Sequence, residues 1–460
     1  MLCLFNAGSD QYRSGSKGPF RKFLDDPAAM LWPPWQVLQS YVSRNSDEHL
    51  YYDYTQLARG LPVSSDEVAQ KRTTSVESLR IADRPGWRMP YRDFSVEYPP
   101  LVWAAILPPS WVVHSLHGYR LAFGLWAGLL TLAAAVAAVR LRRQREPGLS
   151  ARLAYRRVTW LLLAIGPLLA IRFDILPALL TILAVERTTA RRWGWAGLAL
   201  GLGAAAKIYP AVLLPQFALA ALGSTPPGRR WRAVWRLVAG TGAAVAITCA
   251  PFLLTAGHGF LSDMNGHALR PLEVESVLAT PLLFLRGVHT FFGFGCLNLA
   301  APGAETAAWL SGPLAVLLLG LAGAITYRLA RFDLHRAVVE GTTLALLGLL
   351  CAAKVLSPQY LIWLVPLVLA LPGRTGRWLS GTIGVAAILA QVWYPTLWSR
   401  LEALRLDAVV MVACRNLILV VSLLFLARAL VRAKSVVPTS AHHAASATSD
   451  QTASSKAVPG

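Results

Sequence analysis

Eleven apolar runs follow one another along this chain, at about 118–140, 154–171, 174–187, 193–206, 208–223, 234–256, 306–327, 337–353, 357–372, 378–396 and 408–431. The intervals between them are too short to hold soluble cores. Over 460 residues, 55% are hydrophobic and only 15% are charged. The length alone would suggest about three soluble domains, but this pattern excludes an ordinary soluble enzyme. It predicts an all-α polytopic membrane protein with about eleven spans. Short neighbours such as 154–171 and 174–187 are candidates to merge or to become half-helices.

The formal charge of +20 would suggest nucleic acid in a soluble protein, but position argues otherwise. Arg140, Arg142, Arg143, Arg145, Arg152, Arg156 and Arg157 crowd one connection, as in the cytoplasmic loops of membrane proteins. Alternation then puts Arg187/Arg191/Arg192, Arg229/Arg230/Arg232/Arg236, Arg328/Arg331/Arg336, Arg374/Arg377 and the tail from Arg428 on the same side. The chain is therefore expected in the plasma membrane, in contact with membrane lipids and with no nucleic-acid partner.

Three regions are expected: an extracytoplasmic loop region at 1–117, a multi-pass domain at 118–432 and a disordered cytoplasmic tail at 433–460. Residues 1–99 hold no run of the roughly 20 apolar residues that a span needs. The run 27–42 is Pro-broken and reads as interfacial. The run 101–113, interrupted by Pro108-Pro109, reads as interfacial or re-entrant. His442-His443 reads as solvated tail. The five cysteines form neither a disulfide framework nor a CxxC metal pattern.

The segments on the opposite side from the arginine loops hold few charges. They are Asp47-Glu48, PYRDFSVEYPP (90–100), Arg172-Phe173-Asp174, Lys207-Ile208-Tyr209-Pro210, HALRPLEVES (267–276) and KVLSPQY (354–360). Any one cation there fits an interfacial anchor, any one tyrosine an aromatic belt, and Asp93 or Glu97 a polar loop. Together Arg172, Lys207, Arg270 and Lys354 converge on one side beside Tyr, Pro, His or Asp, as expected where helix ends surround an anionic group.

The ordered segments DEHLYYDYTQLARGLP, PYRDFSVEYPPL, RFDILPALL, KIYPAVLLP, HALRPLEVESV and KVLSPQYLIWLVP resemble bacterial glycosyltransferase family 87, from about residue 47 to 432. That family groups with the GT-C superfamily and with polyprenyl-phosphomannose-dependent mannosyltransferases. The resemblance implies a GT-C-like helical bundle with an outer-face catalytic loop. It implies an inverting transfer of mannose or another hexose or pentose from a polyprenyl-phosphate donor to a hydroxyl of a lipid-linked or cell-envelope glycan acceptor. The family's catalytic acid lies in an Asp-x-x-x-Tyr pattern followed by a Gly, which Asp47, Tyr51 and Gly60 match. Two departures stand out: a polar insertion at 63–88, and no span before Asp47, so an apolar segment upstream of Met1 is expected. Asp53 is the rival for the base.

A departing phosphate needs cations around its oxygens. Lys207, Arg270 and His267 are the first candidates, Arg172 and Lys354 the next, with Tyr209, Glu97, Asp93 and Gln359 as further substrate contacts. The acceptor hydroxyl needs a carboxylate to take its proton, the role expected of Asp47. Nothing in this scheme requires a cofactor or a metal. The alternative is a secondary transporter or lipid flippase, which predicts internal repeats and ionisable residues deep in spans. No clear repeat is present, and only Arg415-Asn416 reads as deep, where a charge needs a partner.

Overall fold

The computed structural model describes residues 47–61, 86–265 and 269–433. The runs 27–42 and 434–460, most of the insertion, and His267 lie outside them. Helices of ten or more residues are numbered in chain order. α1 (Asp47–Ala58) is followed, after a 3₁₀ turn at Pro100–Val102, by α2 (Trp103–Val112), α3 (Leu116–Arg143), α4 (Ala151–Ile165), α5 (Ile175–Thr189), α6 (Trp193–Ala206), α7 (Leu214–Ser224) and α8 (Pro227–Ala256). A short helix, His258–Asn265, and an antiparallel hairpin of β1 (His289–Gly293) and β2 (Cys296–Ala300) come next. α9 (Ala304–Ala330), α10 (Leu334–Ala352), α11 (Leu361–Ala370), α12 (Gly373–Gln391) and α13 (Leu406–Val431) complete the described chain.

The fold is mostly helical, but two expectations are not met in full: eleven spans are not confirmed, and the plan is not wholly α. Among the described residues, five helices are long and apolar enough to cross a membrane, namely α3, α8, α9, α10 and α13. The other expected spans are short or broken. Gly166, at φ 46°, ends α4, and Pro167 then opens the single turn Leu168–Ile171. The expected span at 208–223 divides into Tyr209–Val212 and α7, each with Pro in its first turn, and α12 carries Arg374 and Arg377 near its start. Proline lacks the N–H that a continuing helix needs, a feature that a hydropathy average does not register. The second departure is the hairpin within an otherwise all-α plan. Its turn residues Phe294 and Gly295 have φ of 55° and 71°, the backbone sense that two-residue hairpin loops require.

The helix connections fall into two groups. At one end Arg145 pairs with Asp333, Gly373 N donates to Glu146 Oε1 (2.6 Å), His335 Nε2 lies 3.0 Å from the Leu141 carbonyl, and Arg191 donates to the Ser224 carbonyl (2.8 Å). Arg157, buried, donates to the carbonyls of Val368 (2.6 Å) and Leu371 (2.8 Å) at the end of α11. These contacts draw together the arginine-rich connections. Helix direction alternates, so the connections bearing Arg172, Lys207 and Lys354 lie at the opposite end.

Small residues let the helices approach closely. On Gly201 of α6 a Cβ would meet the Thr241 carbonyl and, at 2.7 Å, the Ala244 side chain of α8. A second apolar cluster, separate from the main core, gathers Tyr51, Tyr54 and Leu57 of α1 with Phe94, Trp103, Phe123 and Phe173. It seats α1 against the N-terminal end of α3.

Candidate active site

The three cation-bearing connections share a local plan. A helix stops on an extended residue and restarts within a few positions. Arg172 (φ −128°, ψ 136°) follows Leu168–Ile171 and precedes α5. Lys207 (φ −159°, ψ 137°) ends α6, and the chain restarts at Tyr209-Pro210. Ala353 (φ −66°, ψ 137°) ends α10, and the chain restarts at Pro358. Proline is preorganised for a first helical turn, and at the Lys207 and Lys354 breaks it restarts the chain as a helix, so that these cations stand at helix ends.

α1 brings carboxylates to these ends. Tyr51 packs on Phe123 and Phe173 with ring centroids 5.4 and 5.7 Å apart, and Tyr98 packs on Phe173 at 4.8 Å. Asp47, the first residue of the helix, then forms an ion pair with Arg172, which also donates to the Tyr394 hydroxyl (2.6 Å). The stretch leading to Glu97 is fastened by Asp263, which accepts from Ser95 Oγ (2.6 Å) and from Val96 N (2.9 Å).

A cavity of about 610 Å³ lies among these elements, a size suited to a small-molecule site. Asp47, Glu97, Arg172, Lys207, Tyr209, Arg270, Lys354 and Gln359 line it. Lys207 is already matched. Its Nζ lies 2.6 Å from Asp174 Oδ1 and 5.1–5.3 Å from the ring centroids of Phe173, Tyr360 and Trp363. Trp363 Nε1 donates to the same Asp174 oxygen (2.6 Å), and its indole is stacked between Tyr209 (4.1 Å) and Tyr360 (4.2 Å).

Arg270 differs from these. It has no hydrogen bond or ion pair to any described residue, yet it lines the cavity. Burial opposes its charge, but the surrounding acidic groups, Tyr360, Glu97, Cys296 and Glu273, outweigh burial and raise its pKa above the ordinary arginine value. Lys354 has its pKa lowered by burial and by the Arg270 charge. The two cations thus crowd the same space, an arrangement that an anion would relieve.

The loop bearing Arg270 is held from below. Glu273 accepts from Leu356 N (2.5 Å) and Ser357 Oγ (2.9 Å), while its own N–H donates to the Lys354 carbonyl (2.9 Å). Val274 N donates to the Leu297 carbonyl of β2 (3.0 Å). Glu275 accepts from Trp393 Nε1, and its backbone carbonyl accepts from Arg415 Nη2 (2.8 Å) and Asn416 Nδ2 (3.1 Å). Desolvation raises both carboxyl pKa values above the ordinary range, and the neighbouring Glu273 charge adds to the effect on Glu275. The deep Arg415 is therefore partnered by backbone carbonyls.

Of the residues expected from sequence, Asp93 does not line the cavity. It accepts from Met89 N (2.7 Å) and Arg92 Nε (2.9 Å) and so closes the 89–93 turn. Asp53 is buried within α1 away from the cavity, and His267 lies outside the described residues. Sequence reasoning missed the cavity positions of Glu48, Trp363 and Tyr394 and the polar contacts of Glu273 and Glu275. The RPLEVES motif was the one available signal for the two glutamates. Among the described residues, no group of three or more His, Cys, Asp or Glu is arranged to hold a metal ion.

No curated protein matches the chain. The sequence profile of glycosyltransferase family 87 matches residues 96–358, more than half of the chain. The match takes in Glu97, Arg172, Lys207, Arg270 and Lys354 but begins after Asp47 and ends before Arg415. Membership carries the coarse activity of a membrane glycosyltransferase with a sugar donor and an acceptor. The chain belongs to glycosyltransferase family 87.

Proposed function

We propose that this protein is an inverting glycosyltransferase that takes a sugar from a polyprenyl-phosphate donor and passes it to a hydroxyl of a lipid-linked or cell-envelope glycan acceptor. The observation that carries the reading is the Arg270 guanidinium, with no hydrogen bond or ion pair to any described residue, lining the same cavity as Asp47. The acceptor oxygen attacks the anomeric carbon from the side opposite the phosphate, and Asp47 takes the hydroxyl proton. The bond between the anomeric carbon and the phosphate oxygen breaks as the new bond forms, through a transition state of oxocarbenium character. Arg270, with Lys354 beside it, receives the charge that collects on the departing phosphate. Polyprenyl phosphate leaves, and the proton passes from Asp47 to solvent.

Arg172 orients Asp47, and Lys207 serves chiefly to shape the floor of the site through Asp174. The arginine-rich end faces the cytoplasm by the positive-inside bias, which puts the cavity at the extracytoplasmic face of the plasma membrane. Incubation of membranes containing the protein with radiolabelled polyprenyl-phosphate sugars tests the reading. Label should move from the mild-acid-labile donor to a mild-acid-stable glycan or glycolipid, and this product should be absent from membranes lacking the protein. Transport of the labelled lipid without any transfer would contradict it.

A further inference from the structure

We propose that Arg415 is a positioning residue for phosphate recognition, acting through the two loops that carry Arg270 and Lys354. This rests on the reading of Arg270 as the phosphate receptor. Arg415 is the tenth residue of α13, about 14 Å along the helix from its start, and is fully buried. A charge at that depth needs strong partners. Among the described residues it has no carboxylate within ion-pair distance, and its guanidinium goes instead to main-chain oxygens. Nη2 donates to the Glu275 carbonyl (2.8 Å), while Nη1 and Nη2 lie 3.3 and 3.4 Å from the Leu356 carbonyl. One rigid planar fork therefore ties Glu275 and Leu356, 81 residues apart in sequence.

The surrounding groups prevent that fork from turning. Its guanidinium carbon lies 4.8 Å from the centroid of the Trp393 ring, and Trp393 Nε1 donates to the Glu275 carboxylate. Asn416 adds donations to the carbonyls of Glu275 and Ser276, each at 3.1 Å, and to Thr280 Oγ1 at 2.7 Å. Glu273 closes the knot by accepting from Leu356 N and Ser357 Oγ. Arg270 stands five residues from Glu275, and Lys354 stands two from Leu356. Glu273, three residues from Arg270, is fastened in the same knot, which limits how far the two cations can part. The spacing between the two cations is then set from within α13, by residues that do not line the cavity.

A mutant cycle between Arg415→Gln and the pair Arg270→Gln/Lys354→Gln tests this, with kcat and KM measured on radiolabelled polyprenyl-phosphate sugars. Each single variant should lower kcat/KM at least tenfold. Adding Arg415→Gln to the Arg270→Gln/Lys354→Gln pair should lower kcat/KM by no more than about a further twofold, because Arg415 acts only through these two cations. Losses that multiply would overturn the positioning role while leaving Arg270 in place. Unchanged kcat/KM in Arg270→Gln would overturn the reading of Arg270 and the positioning role with it. If Arg415→Gln does not yield folded protein, Asn416→Ala, which loses the same hold on the Glu275 carbonyl and keeps the buried charge, completes the cycle with the same two outcomes.

Discussion

The Asp47 carboxylate is ion-paired to the Arg172 guanidinium, joining the first turn of α1 to the break before α5. The pair is mostly shielded, with side-chain exposures of 18% for Asp47 and 7% for Arg172. It holds the carboxylate at the cavity edge. Arg172→Lys keeps the charge but has no planar fork to reach both Asp47 and Tyr394. Its kcat/KM should fall at least tenfold, about 1.4 kcal/mol of transition-state stabilisation, with insertion unchanged. Steady-state kinetics on lysine and glutamine variants check this, and near-normal values in both would remove the orienting role.

Lys207 and Arg270 should separate cleanly in their effects. Lys207 is the counter-ion of the buried Asp174, and removing one partner of such a pair costs about 3–5 kcal/mol. Lys207→Met should therefore lower the thermal unfolding temperature. Arg270→Ala removes no hydrogen bond or ion pair to a described residue and should lower turnover while shifting that temperature far less than Lys207→Met does. Unfolding curves in detergent, read beside kcat, distinguish the two.

A pH dependence follows from Glu275. Its carboxyl pKa is raised by desolvation and by Glu273, so the folded state holds the proton more tightly than the unfolded state. Its contribution to stability is fully present below the ordinary carboxylate range and is lost as pH rises through the elevated folded value. Glu275→Gln, which retains an acceptor for Trp393, should flatten the decline in unfolding temperature from acidic to neutral pH. An unaltered slope would mean that Glu275 is ionised throughout.

Gly201 marks the close approach of α6 to α8. Gly201→Leu should destabilise the protein by about 1–3 kcal/mol through overpacking, because the Thr241 main chain cannot yield as a flexible side chain would. Thermal unfolding of the purified variant measures this, and an unchanged midpoint would contradict the close packing.

The residues that gather at the cavity were legible because each breaks a rule. Lys207 and Lys354 stand at the end where basic residues are scarce, and Arg172 stands beside an acid at a helix break. Their pairings were not legible. Nothing local tells Lys207 that Asp174 lies 2.6 Å away across a different helix, or that Asp93 is taken up by the backbone of its own turn. Helix positions followed from apolar periodicity, but spans did not, because Gly166-Pro167 and Pro210 interrupt helices inside runs whose average hydropathy stays high. The hairpin was not legible either: HTFFGFGCLNLA falls in none of the eleven apolar runs, and its turn is defined by the positive φ of Phe294 and Gly295.

The central claim is that Asp47 is the base of a polyprenyl-phosphate-dependent transfer. Asp47→Asn keeps the size of the side chain but cannot accept the acceptor's proton. Single-turnover transfer from a radiolabelled polyprenyl-phosphate sugar, compared between wild type and Asp47→Asn, tests the claim most directly. The expected result is a rate lower by about 10²–10⁴ with donor affinity nearly unchanged. Near-normal transfer by Asp47→Asn, with loss in Asp53→Asn or Glu97→Gln instead, would contradict it.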